Sequence, residues 1–257
     1  MDAEDETRKL SERILRSERD SRYLRRDSDQ RKVMEEVFDR STLLSIEELI
    51  RGGRLKKLNG VVNSGKEARV YYGLSPRDDP VAVKIYMMSS SDFKKRVGYI
   101  AGDRRFGKLP SNSREAIALW VRKEFKNLQL AAWAGIRVPR PLSFFKNIII
   151  MEYIGEPPRP APTFAEAEVD QEDCDWTLRT VQKLYKSAGL VHADLSEYNI
   201  FKHGSEQVLF DMGSAVLVSH PQAEEFLERD IRNMVRFFRK RGLAPGDAGA
   251  WLGKIVK

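Results

Sequence analysis

Hydrophobic and polar positions recur along the chain with two different periods. Over residues 1–40 the apolar side chains Leu10, Ile14, Leu15, Tyr23, Leu24, Val33, Met34, Val37 and Phe38 fall three or four positions apart, the spacing of a helix. From Leu55 onward the pattern shortens. Leu55–Gly60, Ala68–Gly73 and Val81–Tyr86 read as three short antiparallel strands. The turn signals Asn63-Ser64-Gly65 and Ser75-Pro76-Arg77-Asp78-Asp79-Pro80 separate them. Residues 89–113 are rich in Ser, Gly, Lys and Arg with weak periodicity, which predicts a mobile loop. Glu115 to Ala134 predicts a long amphipathic helix ended near Gly135, and Phe144–Tyr153 predicts a strand. Glu156 to Pro162 holds four prolines and predicts a linker or hinge. Val169 to Ala188 is helical in pattern, Leu190–Val191 and Val208–Phe210 are strand-like, and Gln222–Arg241 predicts a last amphipathic helix. No internal repeat is visible.

Composition narrows the class. The 257 residues suffice for one domain with a full core. The hydrophobic fraction of 41% is that of a folded chain. No window approaches the ~20 apolar residues of a membrane span, and the leading MDAEDETRKL is acidic and polar rather than a secretory signal. A single cysteine, Cys174, excludes an internal disulfide and a cysteine-cluster metal site. These features predict a cytoplasmic protein with no membrane partner. Net charge is +7, unevenly placed. Residues 1–40 carry 11 basic and 12 acidic side chains, so that arm reads either as a solvated, salt-bridged helix or as a partner-docking element. Residues 92–126 hold ten Lys/Arg against four acids. A second basic concentration runs from Arg229 through Arg232, Arg236, Arg239, Lys240 and Arg241. Such stretches fit either a phosphate backbone or a solvated helix face.

Three segments could carry chemistry. The run Gly60-Val61-Val62-Asn63-Ser64-Gly65-Lys66-Glu67 nearly fits the phosphate-loop pattern GxxxxGK[ST], but Glu67 stands where a hydroxyl should bind magnesium. The following Ala68–Tyr72 also alternates like a strand, where a phosphate loop leads into a helix. A hairpin tip lying over nucleotide phosphates fits better, with Gly65 allowing close backbone approach. In Val81-Ala82-Val83-Lys84-Ile85 a lysine interrupts an apolar strand, which calls for an anionic partner unless the strand is an edge. Glu124 on the long helix is the candidate. Finally, His192-Ala193-Asp194-Leu195-Ser196-Glu197-Tyr198-Asn199 is followed by Asp211-Met212-Gly213. Two carboxylates and an amide on loops beside short strands suit a magnesium ion holding a polyphosphate.

The pair HADLSEYN and DMG resembles the HRDxxxxN and DFG motifs of the protein-kinase fold. With Ser64-Gly65-Lys66-Glu67-Ala68 in the first hairpin and Ala82-Val83-Lys84 in the third strand, the sequence resembles the RIO family of atypical serine/threonine kinases, its Rio-one branch in particular. The resemblance spans residues 60–241. It implies an α+β, two-lobed kinase-like fold with a small antiparallel β lobe and a reduced helical lobe. The implied divisions are a charged helical extension over 1–45, a first lobe over 46–154 that includes the loop 89–113, and a second lobe over 155–257. It implies ATP and Mg2+ as cofactors, with Mn2+ as an alternative ion. Asp194 would orient or deprotonate the attacking hydroxyl, and Asn199 and Asp211 would hold the metal, Asp211 being catalytic in that sense. Lys84 would contact the α/β-phosphates and pair with Glu124. Ser64, Gly65, Lys66 and Glu67 would lie by the phosphates. Met151, the Glu152 carbonyl and the Ile154 N–H would line the adenine, with Val61, Ala82 and Phe201 sandwiching it. Met151 and Phe201 fit an ordinary core equally well. Asp230 reads as a brace for the catalytic loop or as a surface acid.

The departures from an ordinary protein kinase bear on substrate. Most glycines of the glycine-rich loop are absent, Ala193 replaces the usual arginine, and Ser196 replaces the catalytic-loop lysine. After Gly213 come 44 residues without an Ala-Pro-Glu triplet, so the helices that bind a peptide are expected to be mostly missing. The resemblance implies autophosphorylation, with Ser89, Ser90, Ser91, Ser111 and Ser113 as candidates. It also implies a pre-ribosomal small-subunit partner, rRNA and protein, met through 92–126 and 229–241. Two other functions fit parts of the pattern. One is a conformational ATPase whose nucleotide state gates its release from such a particle. The other is a small-molecule kinase of the aminoglycoside type, against which the short C-terminal part counts.

Overall fold

A computed structural model describes residues 38–65, 67–87, 98–106 and 112–256. The described residues divide into two compact units, one from 38–87 with 142–153 and one from 98–141 with 154–256. The long helix after residue 112 groups with the second of these units.

The first unit is a sheet backed by a helix. Helix α1 (Arg40–Arg51) starts where Asp39 Oδ1 accepts from the Thr42 N–H at 2.7 Å and stops at Gly52. Strands β1 (Lys57–Ser64), β2 (Ala68–Leu74), β3 (Pro80–Tyr86), β4 (Pro141–Phe145) and β5 (Ile148–Glu152) form one sheet in the order β1-β2-β3-β5-β4. The apolar stripe of α1 (Leu43, Ile46, Leu49) packs with Leu58, Val81, Val83, Ile148 and Ile150. Asn147 fastens the two layers, its Nδ2 donating to Thr42 Oγ1 and to the Tyr86 carbonyl, both at 2.9 Å. Gly73 is required by close approach, since a Cβ there would lie 2.8 Å from the Lys57 carbonyl oxygen. The segment 144–153, which the sequence predicts as one strand, is the end of β4, a turn and β5. The turn carries no Gly or Pro; Lys146 takes the left-handed φ of 48° itself.

The second unit is mainly helical. Helix α2 (Ser113–Trp133) begins at Asn112, whose side chain accepts from the Glu115 N–H. The proline-rich segment forms a small hairpin of β6 (Gly155–Glu156) and β7 (Arg159–Pro160) rather than a bare linker; prolines are tolerated because each strand is an edge. Helix α3 (Gln171–Lys186) follows. Strands β8 (Leu190–Val191) and β11 (Val216–Leu217) pair, as do β9 (Ile200–His203) and β10 (Glu206–Leu209). Helix α4 (Ala223–Lys240) buries Phe226, Leu227, Ile231, Met234, Val235 and Phe238, while Arg232, Arg236, Arg239 and Lys240 stay exposed. A last helix, α5 (Ala248–Val256), packs on α3 and α4 through Trp251 and Ile255.

One buried acid ties α3 to the β9–β10 hairpin. Asp170 and Asp173 form a capping box at the start of α3. The same Asp173 carboxylate accepts from Lys202 Nζ at 2.6 Å and from Gln207 Nε2 at 2.8 Å. Its side chain is 1% exposed and that of Lys202 is 19% exposed. Removing the acid takes the nearest acceptor from a mostly buried ammonium, which keeps the Glu168 carbonyl at 3.0 Å, and from the Gln207 amide. Asp173→Ala is expected to cost about 3 kcal/mol in urea unfolding. Breaking the solvated pair Lys56–Asp78 by Lys56→Ala should cost under about 1 kcal/mol.

Candidate active site

The β9–β10 hairpin sets the geometry. Leu209 pairs with Ile200, so the open end of the hairpin brings Asn199 opposite Phe210, and the Phe210 N–H donates to the Asn199 carbonyl at 3.0 Å. Asp211 is the next residue. The Asn199 side-chain Nδ2 donates to the Asp194 carbonyl at 2.7 Å. Two hydrogen bonds and one peptide link therefore join Asp194, Asn199 and Asp211, distant as they are in sequence. His192 Nε2 donates to the Phe210 carbonyl at 3.0 Å and closes the set. With its Nδ2 committed to Asp194, the Asn199 amide is turned so that Oδ1 is the end offered to a cation. That oxygen and the Asp211 carboxylate are hard donors. Two protein groups with the rest left to phosphates and water is the usual way magnesium is held, so the residues fit that ion.

Helix α4 holds the loop before Asn199. Asp230, 1% exposed, accepts from the Ala193 N–H at 2.7 Å and from the Leu195 N–H at 2.9 Å. From the next position Arg229 donates to the Ala193 carbonyl. Between these clamps Ala193 takes φ 63°, a left-handed conformation that L-residues avoid. Asp194, exposed, is thus presented by a loop fixed on both sides. Burial pushes the Asp230 carboxyl up to about 7, against the pull of the two amides and Arg229; the Asp194 charge adds to the rise. Asp230 is therefore the brace, not a surface acid.

Helix α2 holds the loop after Asp211. Lys123 Nζ donates to the Gly213 and Ala215 carbonyls at 2.8 and 2.5 Å. Asn127 Nδ2 donates to the Met212 and Ala215 carbonyls at 2.9 and 2.8 Å. Both side chains are fully buried. Burial pulls the Lys123 ammonium down to about 7, while Asp103 and Glu124 hold it up and Arg105 works with burial. Asp103, also buried, is gripped by Arg105 through Nε and Nη2 at 2.9 and 2.6 Å. Lys123, counted in the sequence with the basic stretch 92–126, is therefore interior and adds nothing to a basic surface. Of that stretch the described exposed cations are Arg104, Arg114, Arg122 and Lys126; Lys94, Lys95, Arg96 and Lys108 lie outside the described residues.

The remaining candidates lie on the first unit's sheet and on the hairpins. β3 is the central strand, and Lys84 is 7% exposed, so it is no solvated edge lysine. Ala82 and Lys84 share a face with Tyr86, over whose ring the Lys84 Nζ lies at 5.1 Å. Ala82 pairs with Met151 on β5, which places those two side by side. Ser64, Gly65 and Glu67 form the exposed tip between β1 and β2, closed by the Gly65 N–H to the Ala68 carbonyl at 3.0 Å. β2 starts at Ala68, so the glycine run is a hairpin tip and not a phosphate loop entering a helix. Val61 is 55% exposed on β1. Lys66 lies outside the described residues, as do Ser89, Ser90, Ser91 and Ser111. In the second unit Phe201 stacks on Phe210 and packs with Ile154, Ala161 and Val208. Glu124 is 1% exposed on α2.

The sequence pattern did not single out Lys123, Asn127 or Asp173. Their signal was present as polar residues on helix faces that are otherwise apolar. Lys123 and Asn127 stand four apart among Trp120, Val121, Leu128 and Ala131.

A family model described as "RIO domain" matches residues 69–248. The RIO-type serine/threonine-protein kinase Rio1 of Haloferax volcanii is 40% identical over 248 residues, 96% of this chain and 86% of that protein. The Methanocaldococcus jannaschii protein of that name is 38% identical, over 82% of this chain and 72% of its own. Human serine/threonine-protein kinase RIO1 is 32% identical over 92% of this chain, which spans only 42% of the human protein. Among solved structures, the Rio2 kinase–ADP/Mg2+–phosphoaspartate complex from Chaetomium thermophilum superposes with a TM-score of 0.66 at 15% identity, covering all of this chain and 87% of that one. The fold is accordingly the α+β, two-lobed kinase-like one.

Asp230 makes stability depend on pH in a definite direction. With its folded pKa near 7 and an unfolded value near 3.8, the folded state binds the extra proton between these limits. The contribution is complete below about pH 4 and is lost as pH rises to 7, by up to about 1.4 kcal/mol per pH unit. Urea unfolding of Asp230→Asn across pH 4.5–7.5 should show that slope removed relative to the parent. Parallel curves for the two proteins would contradict the assignment.

Proposed function

Because this chain belongs to the RIO family of serine/threonine kinases, we propose that it transfers the γ-phosphoryl group of ATP to a serine or threonine hydroxyl, with magnesium as the metal. The observation that supports this most directly is the linkage of Asp194, Asn199 and Asp211 by the Asn199 side chain and the hairpin end. In the proposed step the hydroxyl oxygen forms a bond to the γ-phosphorus, the β–γ bridging bond breaks, and ADP leaves. Asp194 orients the hydroxyl and takes its proton. Asn199 Oδ1 and the Asp211 carboxylate are the groups that would hold the metal, which when bound neutralises charge on the transferring phosphate. Lys84 acts on the α/β-phosphates. The strand and hairpin residues Val61, Ala82, Met151, Glu152, Ile154 and Phe201 take the adenine, and the tip Ser64–Glu67 takes the phosphates.

Autophosphorylation belongs to the same proposal, with Ser113 at the start of α2 the described candidate. We further propose a ribonucleoprotein partner, the maturing small ribosomal subunit, met in the cytoplasm through exposed cations of α2 and α4. What supports it is the row Arg232, Arg236, Arg239 and Lys240, which lines a concavity beside Asp247 and Ala248. Among the described residues no helix is long and apolar enough to cross a membrane.

Asp211→Ala should lower metal-dependent ATP turnover about 100-fold or more while circular dichroism stays unchanged. Turnover at the parent rate would remove the metal assignment. Lys84→Ala should weaken ATP use; unchanged nucleotide affinity and rate would reject its phosphate role. RNA binding, measured by anisotropy, should fall linearly on a log–log plot against salt and lose slope in Arg232→Ala/Arg236→Ala. A response flat in salt would leave α4 a solvated face.

A further inference from the structure

The loop Asp211–Ala215 is irregular backbone in the interior: Met212 and Ala215 are fully buried, as is Gly213. β10 has ended at Leu209 and β11 begins at Val216, so no ladder runs through it. Buried carbonyls without partners are costly, on the order of 1–3 kcal/mol each. Three of them, on Met212, Gly213 and Ala215, accept from two side chains one helical turn apart on α2, and the Met212 carbonyl also accepts from the Ala215 N–H at 3.3 Å. The Ala215 carbonyl accepts from both. Asp211, at the head of the loop, sits at φ 58°, a left-handed conformation that aspartate tolerates better than most L-residues.

We propose that Lys123, with Asn127 beside it, is the positioning residue that sets the Asp211 carboxylate for the divalent ion. The inference rests on the reading of Asp211 as a metal ligand and adds a residue to it. Lys123 touches neither nucleotide nor metal; it acts by fixing the Gly213 and Ala215 carbonyls behind the ligand, while Asn127 fixes those of Met212 and Ala215. The Asp103 carboxylate, held by Arg105 at 2.6 Å, favours the charged form of this lysine through its field. A merely structural lysine would support the fold without favouring one ligand over another. Loss of a positioning lysine lowers affinity for the metal and leaves metal-free nucleotide binding alone.

The test uses the full chain with Mn2+ as a paramagnetic probe and a non-hydrolysable ATP analogue. Free Mn2+ is followed by electron spin resonance in the parent, Lys123→Met, Asn127→Ala and Asp211→Ala. Lys123→Met should weaken Mn2+ binding about tenfold or more, in the range found when groups supporting a metal ligand are removed. Asn127→Ala should act in the same direction. Affinity for the analogue in EDTA should stay within about twofold in both. Without any ligand, amide hydrogen exchange at 212–216 should quicken while β9 and β10 keep their protection. Mn2+ affinity at the parent value in Lys123→Met, or an equal loss with and without metal, overturns the proposal. Should Lys123→Met fail to fold, Asn127→Ala decides by the same two readouts. Parent-like Mn2+ binding in Asp211→Ala would instead refute the ligand assignment itself, a result separable from failure of Lys123 alone.

Discussion

Buried backbone that is neither helix nor strand must still find partners for its N–H and C=O groups, and this constraint shapes the second unit. Two such stretches lie side by side, 192–196 and 211–215. The first presents N–H groups inward, and Asp230 of α4 accepts them. The second presents carbonyls inward, and Lys123 and Asn127 of α2 donate to them. An acid serves donors, and an ammonium with an amide serves acceptors. Each helix thus carries a polar group into an apolar interior to satisfy a loop, and each loop carries a proposed functional carboxylate. Rigid helices can aim these side chains because their own backbones are satisfied internally.

The burial of these groups explains their electrostatics. Asp230 and Lys123 are displaced in opposite directions toward neutrality, because desolvation disfavours whichever form is charged. Asp173 meets the same difficulty differently. It faces Lys202, Gln207 and the capping position of α3 together, so its partners converge on one carboxylate. The hairpin that carries Asn199 and leads to Asp211 is consequently anchored at its middle by α3 and at its open end by Asn199 and His192.

Much of this was legible in the residues. Three of the five strands of the central sheet followed from alternation in 55–86, and the fold followed from motif order. Helices α2, α3 and α4 were found within a few residues because their apolar stripes are regular. What escaped was governed by tertiary contact. The turn at Lys146 has no Gly or Pro to mark it, only Asn147. β9 is stabilised by pairing with β10 rather than by its own composition, Ile200-Phe201-Lys202-His203. α5 is short, and its place depends on packing against α3 and α4. Lys123 was read as one more surface cation because charge counting assumes solvent, and only the path of residues 212–215 shows where its ammonium goes. Catalytic motifs are visible in one dimension; the side chains that satisfy the loops behind them are not.

The left-handed backbone at Asp211 carries an evolutionary implication. Glycine adopts that conformation without Cβ strain, so heat tolerance alone favours an exchange that discards the carboxylate. The residue at 211 is thus kept although glycine would sit there with less strain. A lineage freed from the need to grip a metal would be expected to drift there early, and glycine at this position would mark a copy that had turned from catalysis to scaffolding.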